Sequence, residues 1–227
     1  MSHWAKDGRK RNEALPQVRE GDNREHGQAN AANLNSQRTT PFALRQFLLG
    51  HILTLLEYLN KVWVAHHMDI SKFEVVMLDG ATRSLKDFAG KVTLIVNVAS
   101  RCGLTPQYGA LEALHEKYNS RGFNVLGMPS NQFMQELSSS DEIAEFCSTT
   151  WGVTFPMTEK IKVNGRNRHA LYKELVKTKD QAGLAGPVLW NFEKFLILPS
   201  GEVHRFRPTT KPDDEAIVAL IEANLPS

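Results

Sequence analysis

The segment from Val92 to Pro129 constrains this chain most, because it reads as a strand, a turn, a helix and a second strand in succession. Val92-Thr93-Leu94-Ile95-Val96 is a run of apolar and β-branched residues suited to a buried central strand. Tyr108, Leu111, Leu114 and Tyr118 recur at helical spacing, and Phe123 to Pro129 is again strand-like. A strand, a crossover helix and a further strand imply a parallel pair whose ends share one edge of a sheet. The class is therefore α/β, and residues that follow the two strands, Cys102 and Gln132, emerge near one another. Open α/β sheets bind ligands at that edge.

Cys102 lies in the first strand-to-helix turn, within Asn97-Val98-Ala99-Ser100-Arg101-Cys102-Gly103-Leu104-Thr105-Pro106-Gln107. Thr105 is placed to cap the helix, and Pro106 to occupy its first position. A thiol at such a turn faces unpaired amides and the positive end of the helix dipole, which favour the nucleophilic thiolate. The competing explanation is a small, inert core cysteine, the ordinary fate of the residue type.

Around this unit the elements follow in order. Phe73 to Leu78 is a short strand and Asp79-Gly80 a hairpin turn. Ser139 with Glu142 forms a capping box, opening a helix whose inward stripe is Ile143, Phe146, Cys147 and Thr150 or Trp151. Cys147 on that stripe reads as core filling, but Ser148-Thr149-Thr150 are weak helix formers and Gly152 would end the helix, so this last turn can open at low cost. A helix near His169 to Lys177, a hairpin pairing Leu189–Leu198 with Val203–Phe206, and a terminal helix opened by Pro212 with the stripe Ile217, Leu220, Ile221 and Leu225 complete the domain.

The 227 residues fit one domain plus an appendage. A net charge of +2 gives no electrostatic case for nucleic acid. Two cysteines, not arranged as Cys-x-x-Cys, argue against a disulfide framework and a cysteine-rich zinc site. The histidines, including His66-His67, have no metal-ligand spacing, and no metal or cofactor is expected. Residues 1–67 form an N-terminal extension before the domain at 68–227. Up to about residue 41 it is polar and aperiodic, hence expected to be disordered. Residues 42–65 carry helical apolar spacing interrupted by His51, Glu57 and Lys61, which suits an amphipathic helix better than a membrane span. That helix could dock on the domain, lie on a membrane surface or partner, or have no function. A cytoplasmic protein is expected.

Three separated segments together resemble the glutathione peroxidase family, whose fold is thioredoxin-like: Asn97-Val98-Ala99-Ser100 with Cys102-Gly103-Leu104-Thr105, then Asn131-Gln132-Phe133, then Trp190-Asn191-Phe192-Glu193-Lys194-Phe195. The segment Trp151-Gly152-Val153-Thr154-Phe155-Pro156-Met157 and the short linker before Trp190 are similar to its bacterial, cysteine-containing branch. The resemblance implies a central mixed sheet flanked by helices and a thiol peroxidase for hydrogen peroxide and organic hydroperoxides.

Carried over by position, it implies Cys102 as the peroxidatic nucleophile, with Gln132, Trp190 and Asn191 completing a tetrad whose N–H groups can hydrogen-bond the sulfur and peroxide oxygens. It also implies Cys147 as the resolving cysteine, thioredoxin or else glutathione as reductant, and, from the short linker, a monomer. Ser130 replaces the cysteine that relatives commonly carry before Asn-Gln-Phe. The segment Met134-Gln135-Glu136-Leu137-Ser138 departs from the family pattern and is shorter by one residue, so a displaced loop is expected there. A different class of function, a thiol sensor that passes oxidation to a partner through the N-terminal region, uses the same cysteine.

Overall fold

A computed structural model describes residues 65–226. The expected disordered segment and, apart from Ala65, the expected amphipathic helix lie outside the described residues. In chain order the elements are β1 (His66–His67), β2 (Glu74–Val76), β3 (Thr82–Ser84), β4 (Val92–Val98), α1 (Gln107–Tyr118), β5 (Phe123–Pro129), α2 (Ser140–Trp151), α3 (Ala170–Leu175), β6 (Lys194–Ile197), β7 (Glu202–Phe206) and α4 (Glu215–Asn224).

Five strands form a mixed sheet in the order β1-β7-β6-β4-β5, and β2 with β3 makes the expected hairpin around Gly80. β4 and β5 run parallel in continuous register from Val92 opposite Phe123 to Val98 opposite Pro129, while β6 joins the other side of β4 antiparallel. Every residue of β4 is buried, as befits a strand covered on both faces.

Alternation sorts its side chains between two cores. Val92, Leu94, Val96 and Val98 pack with Tyr108 and Leu111 of α1, Ile143 and Cys147 of α2, and Ile217 and Ile221 of α4. Ile95, with Leu126 and Met128 of β5, packs instead with Leu171, Tyr172 and Leu175 of α3. Gly127 permits a close approach on β5, since a Cβ there would lie 2.1 Å from Met157 Sδ.

Two local expectations are corrected and one choice between neighbours is resolved. Thr105 does not cap α1: the helix begins at Gln107, and its N-cap residue, Pro106, makes no side-chain capping bond. The terminal helix begins at Glu215 rather than Pro212, because the Asp214 side chain accepts the Ala216 N–H. On α2, Thr150 is exposed and Trp151 carries the stripe. The Ser139–Glu142 capping box forms as expected, and Gly152 ends the helix at φ +64°.

Candidate active site

The edge where β4 and β5 end carries the cysteine turn. Thr105, released from capping, staples it: its hydroxyl accepts the Cys102 N–H at 3.0 Å and donates to the Ala99 carbonyl at 2.9 Å. Cys102 is 7% exposed, and its sulfur accepts the Leu104 N–H at 3.4 Å. A backbone N–H of the turn that leads into α1 therefore points at the sulfur, which suits an anionic sulfur. Gly103 and Leu104 also line a groove of about 370 Å³, walled further by Pro106, Ala110, Lys211 and Pro212.

Two loops are tied to this turn by hydrogen bonds. Arg101 N–H donates to the Gln135 carbonyl at 2.9 Å, and Ser100 N–H donates to Glu136 Oε1 at 3.1 Å. Gln135 then accepts from Asn191 Nδ2 at 2.9 Å. The segment Met134 to Ser138 is thus the link between the cysteine turn and the Trp190-Asn191 loop. Sequence reasoning treated it only as a departure from a pattern, although Gln and Glu side chains beside a functional loop were the available signal.

Gln132 is exposed, and its amide is engaged elsewhere. Oε1 accepts the N–H groups of Val163 and Asn164 at 2.6 and 2.7 Å, while Nε2 donates to the Asn164 carbonyl at 3.1 Å. Asn164 in turn exchanges two hydrogen bonds with the Val188 backbone. Gln132 therefore reaches the Trp190 loop through Asn164, and Phe133 touches it directly, its ring centroid 5.1 Å from that of Trp190. Trp190 is 42% exposed, whereas Asn191 is fully buried. None of the three side chains hydrogen-bonds the sulfur in this structure; Asn191 is joined to the cysteine turn through Gln135, and Gln132 to the segment before Trp190 through Asn164.

Beneath the loop, Asn97 holds both ends of the motif: Nδ2 donates to the Trp190 carbonyl at 3.0 Å, and Oδ1 accepts the Glu193 N–H at 3.1 Å. Phe192 takes a left-handed conformation at φ +65°, and the buried Lys194 ammonium donates to its carbonyl at 2.7 Å. Burial pushes that ammonium down to about 7. Glu193 is buried and binds Arg205 at 2.5 Å, Arg207 at 2.8 Å and the Leu189 N–H at 2.9 Å.

Cys147 occupies a different setting. It is 2% exposed on the inner face of α2, in the same apolar cluster as Cys102 and Tyr108, and both cysteines are free thiols. Burial pushes its thiol up to about 11, against a downward pull from the Tyr108 hydroxyl. As packed, it is protonated at neutral pH and a poor nucleophile.

Comparison with known proteins agrees with this architecture. The sequence model described as glutathione peroxidase matches residues 70–176. The thioredoxin/glutathione peroxidase BtuE of Escherichia coli is 46% identical over 169 residues, covering 65% of this chain and 92% of the relative. The hydroperoxy fatty acid reductase of Synechocystis is 50% identical over 153 residues, covering 63% and 89%. The crystal structure of T. cruzi GPX1 is 34% identical and covers 70% of this chain and 95% of its own, with a TM-score of 0.53. With its thioredoxin-like sheet, its amide-backed cysteine and near-complete coverage of these relatives, the chain belongs to the glutathione peroxidase family.

Proposed function

We propose that Cys102 is the nucleophile with which this peroxidase reduces hydroperoxides, and that Cys147 resolves the product. As a family member the chain is a thiol peroxidase. The observation that carries the assignment is the Cys102 sulfur in the turn between β4 and α1, accepting a backbone N–H, with the turn stapled by Thr105. The thiolate attacks one peroxide oxygen, the O–O bond breaks, and water or an alcohol leaves with a proton, so that Cys102 becomes a sulfenic acid. The groove beginning at Gly103 and Leu104 has room for the alkyl part of an organic hydroperoxide.

Gln132, Trp190 and Asn191 complete the site as donors to the sulfur and the leaving oxygen. For Gln132 this requires a turn of its amide away from Val163 and Asn164 when peroxide binds, since apo hydrogen bonds of catalytic groups commonly rearrange in the complex. Cys147 then condenses with the sulfenic acid, and the disulfide is reduced by thioredoxin, the reductant named with glutathione for the E. coli relative. Placement of Cys147 in the same cluster as Cys102 supports this pairing, and the weak helix formers after it allow the last turn of α2 to open. The enzyme acts as a monomer in the cytoplasm.

Stopped-flow mixing of the reduced protein with one equivalent of peroxide tests the nucleophile. Replacing Cys102 by Ser lowers the rate by more than about a thousandfold, because an alcohol cannot supply the thiolate. Fast peroxide consumption by Cys102→Ser would remove the assignment.

A further inference from the structure

We propose that Gln135 is a positioning residue for the peroxide step: it fixes the carboxamide of Asn191 and ties it to the turn that carries Cys102, a role that rests on the reading of Asn191 as a donor in the site. Gln135 binds both sides at once. Its backbone carbonyl accepts the N–H of Arg101, the residue before Cys102, at 2.9 Å, and its side-chain Oε1 accepts Asn191 Nδ2 at 2.9 Å.

The residues beside Gln135 hold it in this place. Met134 takes a left-handed conformation at φ +58°, uncommon for a residue with a side chain, and that side chain is 87% exposed. At such exposure packing does not enforce the conformation. Its effect is to deliver the next two residues to the cysteine turn, where Gln135 meets Arg101 and Glu136 Oε1 accepts the Ser100 N–H at 3.1 Å. Asn131 closes the bend from the other side: its carbonyl accepts the Met134 N–H at 3.0 Å and its Oδ1 the Glu136 N–H at 3.1 Å.

The backbone around Asn191 is pinned independently. The Trp190 carbonyl accepts Asn97 Nδ2 at 3.0 Å, the Phe192 N–H donates to the Asn97 carbonyl at 2.6 Å, and the Phe192 carbonyl accepts Lys194 Nζ at 2.7 Å. Full burial confines the Asn191 side chain, so the freedom left to it is the rotation of the amide about its last bond. Gln135 Oε1 removes that freedom. A half-turn would set Asn191 Oδ1 against Oε1, acceptor to acceptor, and lose the hydrogen bond. In the observed orientation the amide nitrogen keeps a second N–H beyond the one given to Gln135, and Oδ1 is buried with no donor among the described residues. Buried acceptors are ordinarily paired, so the vacancy calls for a partner. A hydroperoxide supplies it: an amide that offers one acceptor and one donor matches R–O–O–H, whose proton-bearing oxygen the thiolate attacks and whose other oxygen leaves.

The test compares two reactions of Cys102 in the reduced protein, the stopped-flow rate with hydrogen peroxide and alkylation by iodoacetamide, the latter read by mass on the Cys102 peptide. Both scale with the thiolate but only the first breaks an O–O bond, so their ratio cancels changes in thiol ionisation. Asn191→Ala lowers the ratio about a hundredfold, the usual cost of one lost donor to developing charge. Gln135→Met keeps the side-chain length without the acceptor and lowers it about tenfold or more, whereas Gln135→Glu, which can only accept, stays within about threefold of wild type. Combining Gln135→Met with Asn191→Ala gives a ratio no lower than Asn191→Ala alone, because Gln135 acts through that amide. A ratio for Gln135→Met within about twofold of wild type, an equal loss in Gln135→Glu, or losses that multiply in the double variant overturns the proposal. If Asn191→Ala itself leaves the ratio unchanged, the reading of Asn191 falls and takes the role of Gln135 with it.

Discussion

Cys102 and Cys147 belong to one apolar cluster between the sheet and α1, yet their sulfurs meet different partners. Cys102 lies on a turn in which a hydroxyl, a carbonyl and several amides are all paired, and its sulfur accepts an N–H. Cys147 is sealed between helices, its thiol pushed up to about 11 by burial. Beyond Cys147, Val153 N–H donates to the Cys147 carbonyl and Gly152 N–H to that of Ser148, and Thr154 anchors the next residues to Glu112 of α1. The contrast teaches that reactivity here is set by what surrounds a sulfur. The Cys102 sulfur meets a backbone N–H, whereas burial holds the Cys147 thiol protonated.

If polar scaffolding defines the Cys102 side, the largest loss of stability follows from removing its most connected buried charge. Glu193→Ala leaves Arg205 buried without its carboxylate and frees the Leu189 N–H that shapes the Trp190 loop. Breaking such a pair costs about 3–5 kcal/mol, measurable as a shift of the urea midpoint at unchanged slope. A loss under about 1 kcal/mol would show that packing alone holds this side together.

A smaller effect is expected one step closer to the sulfur. Thr105→Val keeps the shape of the side chain but strips partners from the Cys102 N–H and the Ala99 carbonyl. The expected cost is about 2 kcal/mol, with a slower first step toward peroxide, since the turn no longer fixes the sulfur beneath the Leu104 amide. Should the melt shift while the peroxide rate stays at the wild-type value, the staple serves stability only.

The parts of this arrangement that were legible in the sequence are local. β4 and β5 announce themselves because strands buried on both faces need unbroken apolar runs, and the Ser139–Glu142 capping box is satisfied within four residues. The corrections arise where a side chain has a competing partner. Thr105 leaves the cap because the Ala99 carbonyl and the Cys102 amide, brought together by the turn, offer it two bonds. The anchor of Gln132 on Val163 and Asn164 spans some thirty residues of chain, and no short pattern encodes it. Tyr108 is one more position of the apolar stripe, and its ring packs as such against Trp151, Phe155 and Phe192. Cores thus follow from periodicity, whereas sites depend on which polar atoms remain once the chain has closed.

The smallest expected effect sharpens the comparison from the Cys147 side through pH. Its thiol is raised from an ordinary value near 9 to about 11, so the folded state holds a proton that the unfolded chain releases earlier. A group raised by folding contributes its full stability below the unfolded value and loses it as pH climbs toward the folded one. Between pH 9 and pH 10 the wild type should therefore lose about 1 kcal/mol that Cys147→Ser retains. Tyr172, also raised by burial and without influence from Cys147, is present in both proteins and cancels in the difference. Parallel melting curves of the two proteins across this window would mean that Cys147 titrates like a solvent-exposed thiol, and that the last turn of α2 is already open in the resting enzyme.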